Sequence, residues 1–284
     1  MANAQPSTTP PPLTTLTTPS RLPSLQFALS NISQSEALYC REFLGGGSDG
    51  AGSRKKAKAL VRLQDAGGRL TMQYVQQTAK ENEMPPLMVA GAFQAATQPE
   101  IIMELLDSNA DVNETNKDGG TALHTAAGNG HKEYVEILLA HGAAVDPQSH
   151  GNTPLATACI HGQKDTAQML LAAKAAVIPI AKVLGYDDTT DDDLADVIRL
   201  LLDSGAALGE SGEKGCTPLH TSCREGRKEC TKVLIAAQPA LVNQLDDDGM
   251  SPLWCACGEG HDRCARLLIE AHAIVDQVNQ ADQT

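Results

Sequence analysis

A four-residue phrase recurs along this chain at a nearly fixed interval. It reads Thr121-Ala122-Leu123-His124, Thr153-Pro154-Leu155-Ala156, Thr217-Pro218-Leu219-His220 and Ser251-Pro252-Leu253-Trp254. The leucines lie 32, 64 and 34 residues apart, and 64 is two periods of 32. A repeat of this length means a stack of small units, none of which buries its apolar face alone, rather than one closed core. The predicted class is therefore all-α, an α-solenoid of helix-turn-helix units behind an irregular N-terminal segment.

One unit illustrates the logic. Thr217 is a good N-cap, because its hydroxyl reaches a free backbone N–H of the first turn. Pro218 suits the first helical position, where a missing N–H costs nothing. Leu219, Ser222 and Cys223 fall on one side of a short helix, and Gly226 stops it by tolerating positive φ. A second helix over about Arg227 to Ala236 carries Cys230, Val233, Leu234 and Ala237 at i, i+3, i+4, i+7 spacing. Pro239 and the polar run Asn243 to Gly249 lead to the next cap at Ser251.

The motif resembles an ankyrin repeat. The match includes the capped phrase itself and the small pair after it (Ala126-Ala127, Ala158-Cys159, Ser222-Cys223, Ala256-Cys257). It extends to Gly130-His131 and Gly260-His261 at the start of the second helix, to the exits Gly142-Ala143 and Gly205-Ala206, and to Ala110-Asp111-Val112-Asn113. Small residues let stacked helices approach closely. The resemblance implies that His124 and His220 bond backbone groups of neighbouring units.

About six units are expected over residues 85–284, the first and fourth degenerate. The first is Pro85 to Asn113. The fourth has lost its phrase and keeps Leu194, Val197, Ile198, Leu201 and Leu202 in its second helix, with a first helix over Pro179 to Leu184. Residues 1–53 read as a Ser/Thr/Pro/Gly-rich disordered tail. Residues 54–84 read as a basic helical linker or a degenerate N-terminal cap, with Ala59 to Gly67 echoing a second helix. In the last unit Cys264, Leu267 and Leu268 take core positions.

Charge is unevenly divided. Residues 1–80 hold nine Lys/Arg and four Asp/Glu, net +5; residues 81–284 hold 13 and 31, net −18, giving the total of −13. So acidic an array is a poor binder of phosphate backbones, which disfavours nucleic acid. It favours a basic or mixed-charge protein partner. Aromatic residues make up only 3% of the chain, which argues against a base-stacking surface.

The eight cysteines lack zinc spacing. They read as structural thiols of a reducing compartment. No stretch approaches the roughly 18 apolar residues of a membrane span. A cytoplasmic monomer is expected. Two alternatives stay open: organelle import through the Ser-rich, acid-free first 35 residues, or nuclear import through Arg54-Lys55-Lys56.

The acidic run Asp187 to Asp196 fails the calcium-loop pattern, because Asp192 stands where the turn glycine belongs and Ile198 where the terminal Glu belongs. Its carboxylates instead suit the N-terminus of a helix starting near Leu194. Asp246-Asp247-Asp248-Gly249 is a turn signal whose carboxylates, if exposed, select a basic ligand. There is no nucleophile–base pair, phosphate loop or metal quartet, so neither enzyme activity nor a cofactor or metal is expected.

The resemblance implies a non-catalytic interaction module that binds through finger tips and exposed first-helix positions. The alternative is a targeting or adaptor part of a longer or organelle-imported protein. The implied contact residues are Lys117, Asp118, Gly120 and Asn129 in the second unit, and Ser149, His150, Asn152, Ile160 and His161 in the third. They are Glu213, Lys214, Cys216, Arg224 and Glu225 in the fifth, and Asp247, Asp248, Met250, Trp254 and Glu259 in the sixth. Trp254, in place of the phrase's histidine, is either an interface anchor or a filler of the groove between units.

Overall fold

The structure, a computed structural model, describes residues 72–92, 99–186, 189–208 and 213–276. The expected tail, the basic patch, the echo at Ala59 to Gly67, Asp187-Asp188 and the final residues 277–284 lie outside the described residues.

The chain is a row of helix pairs. Helix α1 (Met72–Asn82) precedes the pairs and packs on α2 (Pro86–Ala92) through Val75, Thr78 and Ala79, which share one face. Unit one continues with α3 (Pro99–Asp107). Unit two pairs α4 (Ala122–Gly128) with α5 (Lys132–Ala140), and unit three pairs α6 (Pro154–Ile160) with α7 (Lys164–Ala172). Unit four pairs a single turn, α8 (Ala181–Leu184), with the long α9 (Asp191–Asp203). Unit five pairs α10 (Pro218–Arg224) with α11 (Lys228–Ala237), and unit six α12 (Pro252–Gly258) with α13 (Asp262–Glu270). First helices stack on first helices and second helices on second helices. Among the described residues the β-structure is one isolated bridge, Ser149 with Asn152.

The first helices start where the caps dictate. The hydroxyls of Thr153, Thr217 and Ser251 accept from the N–H groups of Ala156, His220 and Trp254 at 3.2, 3.4 and 3.2 Å, and proline occupies the first turn of each. The exit needs glycine. Gly226 sits at φ 66°, and a Cβ there would fall 2.5 Å from His261 Nδ1. Any side chain at this point would be strained by its backbone and would collide with the next unit.

The core is one continuous strip. Leu123, Leu155, Leu219 and Leu253 are all buried, and Ala126, Ala127, Ala158, Cys159, Ser222, Cys223 and Ala256 are fully so. Cys257 and Leu267 depart from expectation. Cys257 is exposed and Leu267 half-buried, because no described residue stacks on the outer side of unit six. Cys264 and Leu268 are buried, since they face inward onto unit five.

The phrase histidines join the units. His124 Nδ1 accepts the Thr121 N–H at 3.2 Å, so Nε2 carries the ring proton and donates to the Asn152 carbonyl at 3.1 Å. His220 repeats both bonds, from Thr217 N–H at 3.1 Å and to the Met250 carbonyl at 3.0 Å. A second ladder runs along the exits. Asn113 Oδ1 accepts from Ala144 N–H at 2.7 Å, the Asp146 carboxylate from Ala176 N–H at 3.1 Å, and Asn243 Oδ1 from Ile274 N–H at 2.9 Å.

Unit four is spliced in differently. Its second helix begins at Asp191 rather than near Leu194. Thr190 caps it, accepting from Asp193 N–H at 3.2 Å, and three aspartates fill the positive first turn. The junction to unit five uses charged side chains. Asp191 accepts from the N–H groups of Glu229 at 2.7 Å and Cys230 at 3.2 Å, capping α11 from outside. Arg227, buried, donates to the Thr189 carbonyl at 3.2 Å and to the Tyr186 carbonyl. On the other side Lys182 donates to the Gly151 carbonyl.

Two expected outcomes check this packing. Leu219→Ala costs about 2–5 kcal/mol in denaturant unfolding, as a buried leucine truncation does; a loss below about 0.5 kcal/mol would place Leu219 outside the core. Burial pushes the His124 imidazole down from 6.5 to about 4. Between those values the unfolded chain binds the proton and the folded one does not, so stability is full above about 6.5 and falls as pH drops toward about 4. A His124→Phe variant is less stable at neutral pH and loses less stability over that window.

Candidate partner-binding surface

The fingers are built by side chains that fold back on their own backbone. Asn116 Oδ1 accepts from Asp118 N–H at 3.0 Å and Gly120 N–H at 2.7 Å, which presents Lys117 and Asp118 to solvent. In the next finger Ser149 and Asn152 exchange backbone bonds of 2.9 and 2.8 Å across His150 (φ 49°) and Gly151 (φ 76°). Two successive positive φ values define the tight hairpin turn that matches strand twist. The fingers also touch each other. Ser149 Oγ donates to the Asp118 carbonyl at 3.2 Å, and His150 Nε2 lies 3.5 Å from Asp118 Oδ1. Lys117 pairs with Glu83.

The finger between units five and six copies the Asn116 device with an aspartate. Asp246 Oδ1 accepts from Asp248 N–H at 3.0 Å and Met250 N–H at 2.8 Å. Asp246 is only 6% exposed, so it holds the turn together and is not displayed to a ligand. Asp247 and Asp248 are exposed. Asp247 N–H donates to the carbonyl of Lys214, which itself takes φ 58° at the preceding finger.

The other expected contact positions divide by burial. Glu225 and Glu259, at the ends of α10 and α12, are exposed, as are Lys117, Asp118, His150 and Lys214. Asn129, Asn152, Arg224, Met250 and Trp254 are half-buried. Asn129 Nδ2 donates to the Gly91 carbonyl at 3.1 Å, so part of its capacity is spent on unit one. His161 belongs inside. It is 7% exposed, with Nδ1 at 2.8 Å from the Thr157 carbonyl on its own helix, and it does not join the displayed set. Ile160 and Ser149 are likewise buried. Trp254 lies between its two readings, with its ring over Gly258 and partly open to solvent.

Arg227 and Lys182 are not singled out by sequence reasoning, and Asp191 is read there only as part of the acidic run at its own helix N-terminus, although the three replace the missing histidine bonds. One signal existed. Arg227 stands where Gly260-His261 has its histidine, and His261 Nε2 lies 2.9 Å from the Arg224 carbonyl of the preceding unit. Opposite Arg227 the first helix is one turn long, so the carbonyls to be met lie in the loop beyond it. A longer donor fills that place.

Among the described residues no group of three or more His, Cys, Asp or Glu side chains is arranged to hold a metal. No helix among them is long and apolar enough to cross a membrane. The displayed set is acidic at units five and six and mixed at units two and three.

Stacked capped helix pairs with projecting fingers define a repeat protein whose class is a recognition scaffold. The family model for ankyrin repeats matches residues 87–180 and 190–281, well over half of the chain. The chain belongs to the ankyrin repeat family.

Among solved structures it is similar to the human ASB11 ankyrin repeat domain (24% identity, TM-score 0.62, covering 70% of this chain and 89% of that one). It is also similar to the ankyrin repeat domain of Bcl-3, a member of the IkappaB protein family (21%, TM-score 0.55, 70% and 91%). At these identities the likeness shows the fold. Among curated proteins, Inversin of Danio rerio is 52% identical over 46 residues, 16% of this chain and 4% of that protein. Potassium channel AKT1 of Oryza sativa subsp. indica is 41% identical over 49 residues, 17% and 5%. The match thus spans about one repeat and a half, only 4% and 5% of the length of those two proteins.

The finger geometry yields a contrast in stability. Asp246→Ala strands the N–H groups of Asp248 and Met250 and destabilises by about 1–3 kcal/mol. Asp247→Asn and Asp248→Asn leave the melting temperature within a degree or so of the parent by differential scanning calorimetry, since exposed substitutions stay within about 0.5 kcal/mol.

Proposed function

We propose that this protein recognises a protein partner with a basic or mixed-charge surface, without catalysis, through its finger tips and the exposed ends of its first helices. The carrying observation is the placement of Glu225, Asp247, Asp248 and Glu259. They come from two units and two kinds of element, and all are exposed. Ankyrin repeat domains are in general protein-interaction modules, which supports the reading. A rigid scaffold lowers the entropic cost of binding, because the contact residues are already in place.

The net charge of −18 over residues 81–284 favours encounter with a cationic partner more than it adds to final affinity. The uneven exposure along the array sharpens the surface. At units two and three Asp118 is engaged by His150 and Lys117 by Glu83, so the finger charges there are partly satisfied internally. Units five and six carry the exposed acidic set. Trp254, half-buried beside it, supplies an apolar neighbour to the charges, the arrangement in which a binding hot spot is surrounded by a polar rim.

The test starts from partners captured on the full chain and identified by mass spectrometry, then measured by calorimetry against variants. The combined change Glu225→Gln, Asp247→Asn, Asp248→Asn, Glu259→Gln weakens binding at least tenfold at low salt and leaves the melting temperature unchanged. Binding by the parent falls steeply with added salt. Unaltered affinity in the quadruple variant would remove this surface from the interaction.

A further inference from the structure

The fingers and first helices of units five and six carry acidic residues, but the second helices of units four to six carry a row of the opposite sign. Arg199 on α9, Lys232 on α11 and Arg266 on α13 stand 33 and 34 residues apart, and all are exposed. They are one position of the repeat. Each precedes an apolar pair whose second member, Leu201, Leu234 or Leu268, is buried, so the three side chains leave their helices on the same side. Units two and three hold Glu136 and Gln168 at this position, so the cationic row begins at unit four. Because α9 stacks on α11 and α11 on α13, successive cations are one interaxial step apart, roughly 8–10 Å.

A groove accompanies the row. Between α9 and α11 it encloses about 360 Å³ over a floor of Leu202, Val233, Ala236 and Ala237, with Arg199, Lys232 and Asp203 at its rim. A short side chain opens it. Val233 stands where units two and three have Ile137 and Met169, and it is sunk to 8% exposure while those two are half-buried.

The nearby carboxylates leave the row positive. Glu229 accepts from Lys228 Nζ at 2.9 Å. Asp196 sits between Lys164 at 2.8 Å and Arg199 at 2.5 Å, one negative charge against two positive ones. Asp203 at the rim, and Asp262 and Glu270 one turn to either side of Arg266, repel anions. An acidic ligand is therefore held at the spacing of the cations and not spread over the face.

We propose that the second-helix face of units four to six binds an acidic protein segment in the extended polyproline II form, with a carboxylate at every third residue. A polyproline II chain has three residues per turn and rises about 3.1 Å per residue, so every third side chain returns to one face after about 9.3 Å. That step matches the row. In a β-strand, by contrast, residues three apart point to opposite faces. The carboxylates meet Arg199, Lys232 and Arg266, and an apolar side chain on the next edge of the segment enters the groove between the first two. A segment already in this form loses little freedom on binding. The site is independent of the finger surface and opposite in sign, so a basic partner in front and an acidic one behind do not compete.

The test is the fluorescence anisotropy of a labelled peptide of four Glu-Leu-Pro triplets, titrated with the full chain at low salt. The parent binds it, and added salt weakens binding. A Gln-Leu-Pro peptide binds about tenfold more weakly or worse, as the loss of several ion pairs requires. Lys232→Gln combined with Arg266→Gln weakens the Glu-Leu-Pro peptide several-fold. So does Ala236→Leu, which fills the groove from an exposed position at little cost to the helix. The Glu225→Gln, Asp247→Asn, Asp248→Asn, Glu259→Gln chain binds the peptide as the parent does. No binding by the parent overturns the proposal, as does equal binding of the Gln-Leu-Pro peptide or of a peptide of the same composition with its glutamates two residues apart. Parental affinity in the Lys232→Gln, Arg266→Gln chain also overturns it, and so does a parent that sediments with phosphatidylserine vesicles and leaves the peptide free.

Discussion

Everything in this structure depends on bonds between residues about thirty positions apart. A helix pair of some twenty residues buries too little apolar surface to hold itself together, so each unit is stable only against its neighbours. The apolar strip of Leu123, Leu155, Leu219 and Leu253 supplies most of that contact, but it is non-directional and does not fix one unit's register on the next. Directional bonds do. His124 to Asn152 and His220 to Met250 set the spacing at the first helices, and Asn113, Asp146 and Asn243 set it at the exits. The exposed pairs Lys132–Asp165 and Lys164–Asp196 repeat the same spacing across the second helices and contribute little, since water screens them.

Unit four shows what happens when the rule lapses. With no capped phrase its first helix shrinks to one turn, and the neighbouring Ala156 has no imidazole to offer. The junction then relies on longer and charged side chains. Arg227 replaces a histidine at a point where the acceptor carbonyls have receded, and Asp191 caps a helix belonging to the next unit. Arg227 and Asp191 are charged groups at a repeat junction, and such groups hold it only while every partner is in place. The two halves of the array are therefore joined by a seam of a different chemical kind from the others.

The scaffold was legible because its signals are local and repeated. Caps, prolines, the small pair and the exit glycine each act within one turn, and their recurrence fixes the phase of the whole stack. Less was legible where a residue acts across units. Asp246 reads in sequence as one of three equivalent turn aspartates, yet it alone folds inward, because the turn needs one acceptor for two N–H groups. His161 sits at a position that is exposed in Glu225 and Glu259, but imidazole is apolar enough to lie down on its own helix while a carboxylate is not. Apolar spacing puts the start of α9 three residues late, because it marks where a helix buries apolar side chains, whereas the first turn here is three aspartates, of which Asp191 is turned to the backbone of unit five.

These cases share one cause, and it separates scaffold from surface. Positions that satisfy backbone groups of another unit are committed, whatever their residue type suggests, and their side chains have little left for a ligand. Asn129, Asn152 and Met250 are partly committed in this sense, through Gly91, His124 and His220. Among the described residues Glu225, Asp248 and Glu259 are exposed and carry no such duty in their side chains, so their charge sits on the fold without supporting it. A surface of that kind can change its residues without cost to the stack beneath, and the same fold can therefore serve partners of different chemistry. Asp246 is held by the packing of the finger, whereas the acidic character of Glu225, Asp248 and Glu259 is not required by the packing of their units.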